Sequence, residues 1–347
     1  MQSGGKTLKQ TTVVQLVAAG ALISVAGKHW PHLLVVWLGL AVYLSLRMRR
    51  RRIVVVSVFL LASFVGWMRA GQVSTSLSTA SARFDEKTVI YGTVLDDPSY
   101  ADHGQTEVYL GGVQYDDGVV IPGKLRLRGY VLNLARGDRV RAGGKIRDGF
   151  GSYSASLYFA DIRVVAHDQG WPAALRSRFQ AGLHTALPDQ SASFVFGLLV
   201  GARSSLSDSL NTQLAAVGLM HLVAVSGYNL TILVRASRRS MGGFSPRTSF
   251  AASLGLIAMF LVVTGFSASI VRAAIVSTLS LVAWLYGREV KPSVLLLVSA
   301  AITVLINPLY IWTDLGWYLS FLAFFGVLVL APLLAERFMW RRVWQQL

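Results

Sequence analysis

Cysteine is absent from the 347 residues, and charge is scarce: Asp, Glu, Lys and Arg together make up 14%. Without cysteine there is no disulfide framework, no thiolate nucleophile and no cysteine-ligated metal. Soluble domains carry about 25% charged residues, so the shortage argues against an ordinary soluble enzyme. The six histidines are scattered and form no His-x-His-x-Asp-His or His-Glu-x-x-His cluster. Metal catalysis therefore finds no support, and the sequence implies no cofactor. Gly4-Gly5-Lys6-Thr7 imitates the end of a phosphate-binding loop, but no strand precedes it, and no ATP motor is visible.

What is present is apolar: 53% of residues. Three runs open the chain, at about 11–27, 30–46 and 53–69, each close to the ~20 residues that cross a bilayer as a helix. Lys6 and Lys9 before the first run leave a cleaved signal peptide as an alternative reading of it. Further runs at 218–234, 249–265, 269–286, 293–306 and 315–334 predict four or five later spans, the penultimate one short. Residues 173–187 and 206–217 are amphipathic, and the former reads as a surface helix. Residues 191–201 are apolar but too short to span, which suits a re-entrant or half-helix.

Between 74 and 170 the period changes. Short alternating runs at 88–91, 106–110, 124–128, 138–147 and 157–165 are separated by turn signals such as Asp117-Gly118 and Gly143-Gly144. Five strands in about a hundred residues predict a small β-barrel, and an OB-type barrel fits that count. The predicted fold is thus a polytopic α-helical membrane protein with an inserted extracytoplasmic OB-like β-barrel domain. Its parts are 1–73 (three helices), 74–170 (the barrel) and 171–347 (a channel domain with amphipathic or re-entrant segments and about five spans).

Thirty-three basic residues against seventeen acidic ones give a net charge of +16. The excess is not in the β domain, where eleven basic face twelve acidic residues. It sits in alternate loops: Arg47 and Arg49 to Arg52; Arg235, Arg238, Arg239 and Arg247; Arg288 and Lys291; Arg337, Arg341 and Arg342. The positive-inside rule places these loops in the cytoplasm and the β domain outside the cell membrane. Anchoring and contact with anionic lipid account for most of this charge, which by itself does not argue for DNA.

Polar side chains at bilayer depth carry the functional signal. His221, Ser226 and Asn229 interrupt one apolar segment. At 100° per residue Asn229 lies about 80° and Ser226 about 140° from His221. Ser269, Arg272 and Ser280 share a sector of about 80° on the next helix but one. Arg272 either snorkels to the outer interface or faces a wet interior, where it meets an anionic substrate. Asp314 stands at a helix start, where N-capping is the plainer account. Tyr91, Tyr109, Tyr130 and Tyr158 on the strands either pack or stack bases.

The run from Gly201-Ala-Arg203 through Gly218-Leu-Met-His221-Leu-Val-Ala-Val-Ser226-Gly227-Tyr228-Asn229 resembles the ComEC family of competence proteins. Thr264-Gly265-Phe-Ser-Ala-Ser269-Ile-Val-Arg272-Ala273, Asn307-Pro308-Leu309 and Asp314-Leu-Gly316-Trp-Tyr-Leu-Ser320-Phe-Leu-Ala323 agree with it. Gly137-Asp138-Arg139-Val140-Arg141 looks like a strand of that family's external OB-like domain. The resemblance implies a non-enzymatic channel for single-stranded DNA in natural transformation. It implies a bilayer, a DNA receptor, a cytoplasmic ATPase and a second copy of the chain as partners. His221, Ser226, Asn229, Ser269, Arg272 and Asp314 would lie along the DNA path. Two departures stand out. Asn229 occupies the place of a family histidine, so no chemistry assigned to that histidine transfers. Family members also continue beyond the equivalent of Leu347, often into a metallo-β-lactamase-like domain, so a fragment or a short form is expected. A small-solute or ion transporter is the main alternative. An intramembrane serine hydrolase using Ser226 and His221 is weaker, since five residues on one helix hold a nucleophile and its base apart.

Overall fold

The computed structural model describes residues 10–47, 52–100, 105–131, 134–149, 153–200, 206, 208–218, 227–265, 268–288 and 291–337. In chain order, helices α1 (Gln10–Gly27), α2 (Leu33–Arg47) and α3 (Arg52–Ser81) come first. Strands β1 (Lys87–Val94), β2 (Ser99–Tyr100), β3 (Thr106–Tyr115), β4 (Val120–Ile121), β5 (Leu125–Gly129), β6 (Arg139–Asp148) and β7 (Ala155–Ala166) follow. Then come α4 (Trp171–Ala186), α5 (Asp189–Val200), α6 (Asp208–Ala216), α7 (Gly227–Ser240), α8 (Pro246–Thr264) and α9 (Ala268–Leu285). The last helices are α10 (Pro292–Ile306), α11 (Leu309–Thr313), α12 (Leu315–Phe325) and α13 (Ala331–Arg337). The apolar runs at 11–27, 30–46, 249–265, 269–286 and 293–306 each coincide with a helix to within three residues. Among the described residues two helices, Val54–Ser81 and Pro246–Thr264, are long and apolar enough to cross a membrane.

The chain forms two compact units, 1–75 with 286–347, and 76–285. In the first, α1 packs along α10, with the Gln15 amide donating to Ser293 Oγ at 2.9 Å near both helix starts. Val25 and Ala26 join Ala300 and Val304 near both ends, so the two helices run parallel. Arg69 of α3 donates to the carbonyls of Leu305 (3.4 Å) and Ile306 (3.1 Å), satisfying acceptors that the end of α10 leaves open. The Asp314 carboxylate accepts from the Trp317 N–H (3.0 Å) and caps α12, and the Trp317 indole donates to Thr303 Oγ1 (3.0 Å). Between α12 and α13 lies a π-helical turn, Gly326–Leu330. Its cause is Pro332, which has no N–H to give to the i→i−4 ladder.

Small residues make these contacts. Ala18, Ala21, Ala70, Ala300 and Ala301 are buried, and so are Ser24, Ser63, Ser299 and Thr303, while Val35, Leu38, Leu61, Phe64 and Leu322 stand exposed. That pattern, small inside and large apolar outside, is the one lipid-embedded helices use. Gly66 shows how close the approach is, since a Cβ there would lie 2.5 Å from Ser24 Oγ and 3.1 Å from the Ala21 carbonyl. Gly66→Val should therefore cost about 1–3 kcal/mol by overpacking, read as a lower melting temperature of the detergent-solubilised chain. Gly71→Ala, which meets nothing within 4 Å, should leave it unchanged.

In the second unit the strands close in the ring β1-β6-β7-β5-β3, with β3 pairing back onto β1. β5 and β7 are the parallel neighbours, and β2 and β4 hang on β3. The period-2 signal is clear in β5, where Leu125, Leu127 and Gly129 point inward and Arg126 and Arg128 outward. Ile90, Leu110, Ile146 and Leu157 complete a dry core. α3 runs about three turns past the predicted end at 69. Its last turn explains this: Ala80 is buried in the barrel core and its carbonyl accepts from Tyr115 Oη at 3.0 Å. Beyond the barrel, Leu230, Val234, Ile257, Ala273, Ala274 and Leu281 form one core of α7, α8 and α9.

Candidate functional site

One face of the barrel gathers aromatic and arginine side chains. Glu107 on β3 accepts from Arg126 twice (Nε 2.9 Å, Nη2 2.6 Å) and from Arg128 Nε (2.6 Å). Arg126 also donates to Tyr153 Oη at 3.1 Å and lies over that ring, and Arg128 lies over Tyr158. Between Leu127 and Gly129 the β5–β7 register slips, so that Tyr158 and Phe159 together face one residue, Arg128. This is a β-bulge, and it turns both aromatics outward. Phe159 adopts φ 54° and is 80% exposed. Left-handed backbone at a bulge normally takes glycine, and a bulky residue there stores about 1–3 kcal/mol of strain. Tyr130, which follows Gly129, is 64% exposed. Tyr109 lies 6.2 Å from Tyr153 in the same group, whereas Tyr91 is on the β1–β6 side.

Burial alone would raise the Glu107 pKa, but the hydrogen bonds and charges of Arg126 and Arg128 outweigh it and hold the carboxyl below its ordinary 4.5. A carboxyl with a depressed folded pKa contributes stability that is complete above its unfolded value and is lost as pH falls through the folded one. The barrel should therefore melt at a lower temperature at pH 3 than at pH 5. In Glu107→Gln that pH dependence should shrink, with a loss of about 1–3 kcal/mol at neutral pH. Near-UV circular dichroism of the solubilised chain measures both.

A short loop ties the barrel to the helices. Asp138 is buried and accepts from the N–H groups of Ala135 (2.9 Å) and Asp168 (3.0 Å) and contacts His167 Nδ1 (3.0 Å). This fixes residues 135–138 and aims Arg136 at the end of α8, where it donates to the carbonyls of Val262 (2.8 Å) and Val263 (3.2 Å). Gly265 has φ +97°, and a Cβ there would lie 2.6 Å from Arg136 Nη1, which explains the glycine. Around this junction is a cleft of about 320 Å³ lined by Asp97, Arg136, Arg176, Gln180 and Phe196 among others. Arg176 pairs with Asp97 and lies over Phe196. Burial, and next the like charge of Arg176, lower the pKa of Arg136, which stays charged all the same.

α9 starts three residues after Gly265, and Arg272 lies about 6 Å along its axis. Its inner face is Ile270, Ala273, Ala274, Ser277 and Leu281, all buried. Arg272 points about 200° round from Ile270, yet is only 5% exposed. α9 is therefore enclosed on both sides at this level. Ser269 and Ser280, in the same sector, are half-buried. His221 and Ser226 lie outside the described residues. Asn229 is in the first turn of α7, and its side chain lies outside the description as well. Its neighbour Leu230 belongs to the same buried cluster as Ala273, the neighbour of Arg272. Asp314 belongs to the other unit, where it caps α12. The sequence reading named Tyr109, Tyr130 and Tyr158 but missed Arg126, Arg128, Tyr153, Phe159 and Arg136.

A model of the family described as competence protein matches residues 198–347. Over those residues the chain is similar to the competence-protein family. ComE operon protein 3 of Bacillus subtilis (strain 168) is 27% identical over 158 residues, 45% of this chain and 20% of that relative. The match thus spans about a fifth of the length of the curated relative. No solved structure matches the chain. The barrel lies outside the family match, whereas Arg272, Asn229 and the whole of α7 to α12 lie within it.

Proposed function

We propose that this chain carries single-stranded DNA across the cytoplasmic membrane during natural transformation, as a multi-pass protein with its barrel outside. The carrying observation is Arg272, a guanidinium buried in an apolar helix. A guanidinium keeps its charge when buried and suits phosphate oxygens, and an ionisable group at bilayer depth marks a place where charge is handled within the membrane. A polyanion cannot cross hydrocarbon unaided, because each unpaired charge in a low-dielectric medium costs many kcal/mol.

Helix directions support this topology. Arg238 and Arg239 close α7, α8 begins just after them, and Trp284 at the end of α9 lies under Arg238. The basic ends of these three helices therefore coincide, and the barrel loop holds the opposite end of α8 through Arg136. With basic ends inside, the barrel is outside. The ring order, strands 1-2-3-5-4 around a closed barrel, supports reading the domain as OB-type. Its second, third and fifth strands, β3, β5 and β7, carry the arginine and aromatic face. There a strand would stack bases on Phe159 and Tyr130 and set phosphates against Arg126 and Arg128. From that face the strand would enter through the cleft at Arg136 and Arg176 and pass the sector of Ser269, Arg272 and Ser280. Nothing along this route requires a bond to be broken, so the reading is transport rather than catalysis. DNA-delivering and DNA-pulling partners on the two sides would supply direction. Deleting the gene in a transformable host tests the reading: surface-bound DNA should no longer become nuclease-resistant, and normal uptake would refute it.

A further inference from the structure

At the basic end of α7 to α9 lies a cavity of about 450 Å³ that the route above does not use. Arg235, Arg238 and Arg239 of α7 line it, at i, i+3 and i+4 on one helix face. Like charges at that spacing repel one another. The end of the α7 dipole offsets part of this. A carboxylate would be the usual remedy, but Gly227 to Arg288 contains no Asp or Glu. Among the described residues none of the three arginines has an ion-pair partner. Arg238 lies over the Trp284 ring, 4.2 Å from its centroid, and its buried Nε meets no hydrogen-bond acceptor there. The buried Ser249 of the first turn of α8 also lines the cavity. The site thus offers three guanidiniums, a hydroxyl and the positive end of a helix dipole to an anion.

The rim decides which anion. Phe244 is 64% exposed beside Trp284, so the guanidiniums face the cavity while apolar rings border it. A free phosphate has no use for such a border, whereas a headgroup attached to acyl chains does. We propose that this cavity binds the phosphodiester headgroup of an anionic phospholipid of the inner leaflet, with Arg235 and Arg239 clasping the phosphate oxygens. Arg238, over the Trp284 ring, would give its Nε–H to the same oxygens. The inference rests on the membrane reading but not on DNA transport.

The test uses the full chain purified in detergent and incubated with mixed micelles of phosphatidylglycerol and phosphatidylcholine, with native mass spectrometry counting retained lipid. Phosphatidylglycerol should be retained in preference, and the Arg235→Gln/Arg239→Gln double variant should lose that preference by roughly 10- to 30-fold. Arg247→Gln, outside the cavity lining, should keep it. Both altered arginines are exposed, and an unchanged melting temperature verifies that the variant folds. Equal retention of the two lipids, displacement of the lipid by inorganic phosphate alone, or displacement by a short oligonucleotide overturns the site. A chain that needs detergent but shows no preference overturns the site and leaves the membrane reading standing. A chain that stays dispersed without detergent overturns both.

Discussion

Arg272→Gln lowers the conversion of bound DNA to a nuclease-resistant form by roughly 10- to 100-fold, with the protein present at its normal level. The magnitude follows from what is removed: a hydrogen bond to a charged group contributes about 1.5–3 kcal/mol, and about 1.4 kcal/mol is a factor of ten in rate. On the proposed route each phosphate would meet this group, so the loss would raise the same barrier for every nucleotide. Arg272→Lys keeps the charge but not the fork of donors and should fall between the two. Because Arg272 is enclosed, a purely structural role would lower protein abundance together with uptake. Uptake normalised to membrane protein, from quantitative immunoblots, separates these outcomes.

Phe159→Gly should weaken binding of single-stranded DNA by the solubilised chain by roughly 5- to 100-fold, since one base–aromatic stack contributes about 1–3 kcal/mol. The same change should leave the barrel at least as stable, because glycine relieves the φ of 54° that phenylalanine holds at a cost of about 1–3 kcal/mol. Binding down with stability unchanged or up is the signature of a residue kept strained for function. Fluorescence anisotropy with a labelled oligonucleotide, beside a thermal melt, gives both numbers. Glu107→Gln should move binding the opposite way, since it frees Arg126 and Arg128 for phosphates.

The barrel was legible because its strands obey period 2. Runs expected at 88–91, 106–110, 124–128, 138–147 and 157–165 became β1, β3, β5, β6 and β7. Even the bulge left a trace: the inward positions switch from 155 and 157 to 160 and 162, a change of phase visible in Leu157-Tyr158-Phe159-Ala160-Asp161-Ile162. What the sequence could not show was Arg136, whose partners lie more than a hundred residues away on α8, or Arg238 folded onto Trp284. α3 outran its predicted end because Ala80 is held by a core built later in the chain, a tertiary effect that local hydropathy does not contain. At Asp314 the plain reading was the useful one, since helix-capping chemistry is local.

The absence of native cysteine lets one engineered thiol report on whether α9 borders water within the membrane. Ser269→Cys and Ser280→Cys, placed singly in the reconstituted chain, should react with a charged, water-borne thiol reagent and be shielded by single-stranded DNA. Met259→Cys, exposed on the apolar surface of α8, should react with a lipid-soluble reagent alone. Silence of both serine positions toward the aqueous reagent, or labelling that DNA does not alter, would contradict a polyanion path beside Arg272.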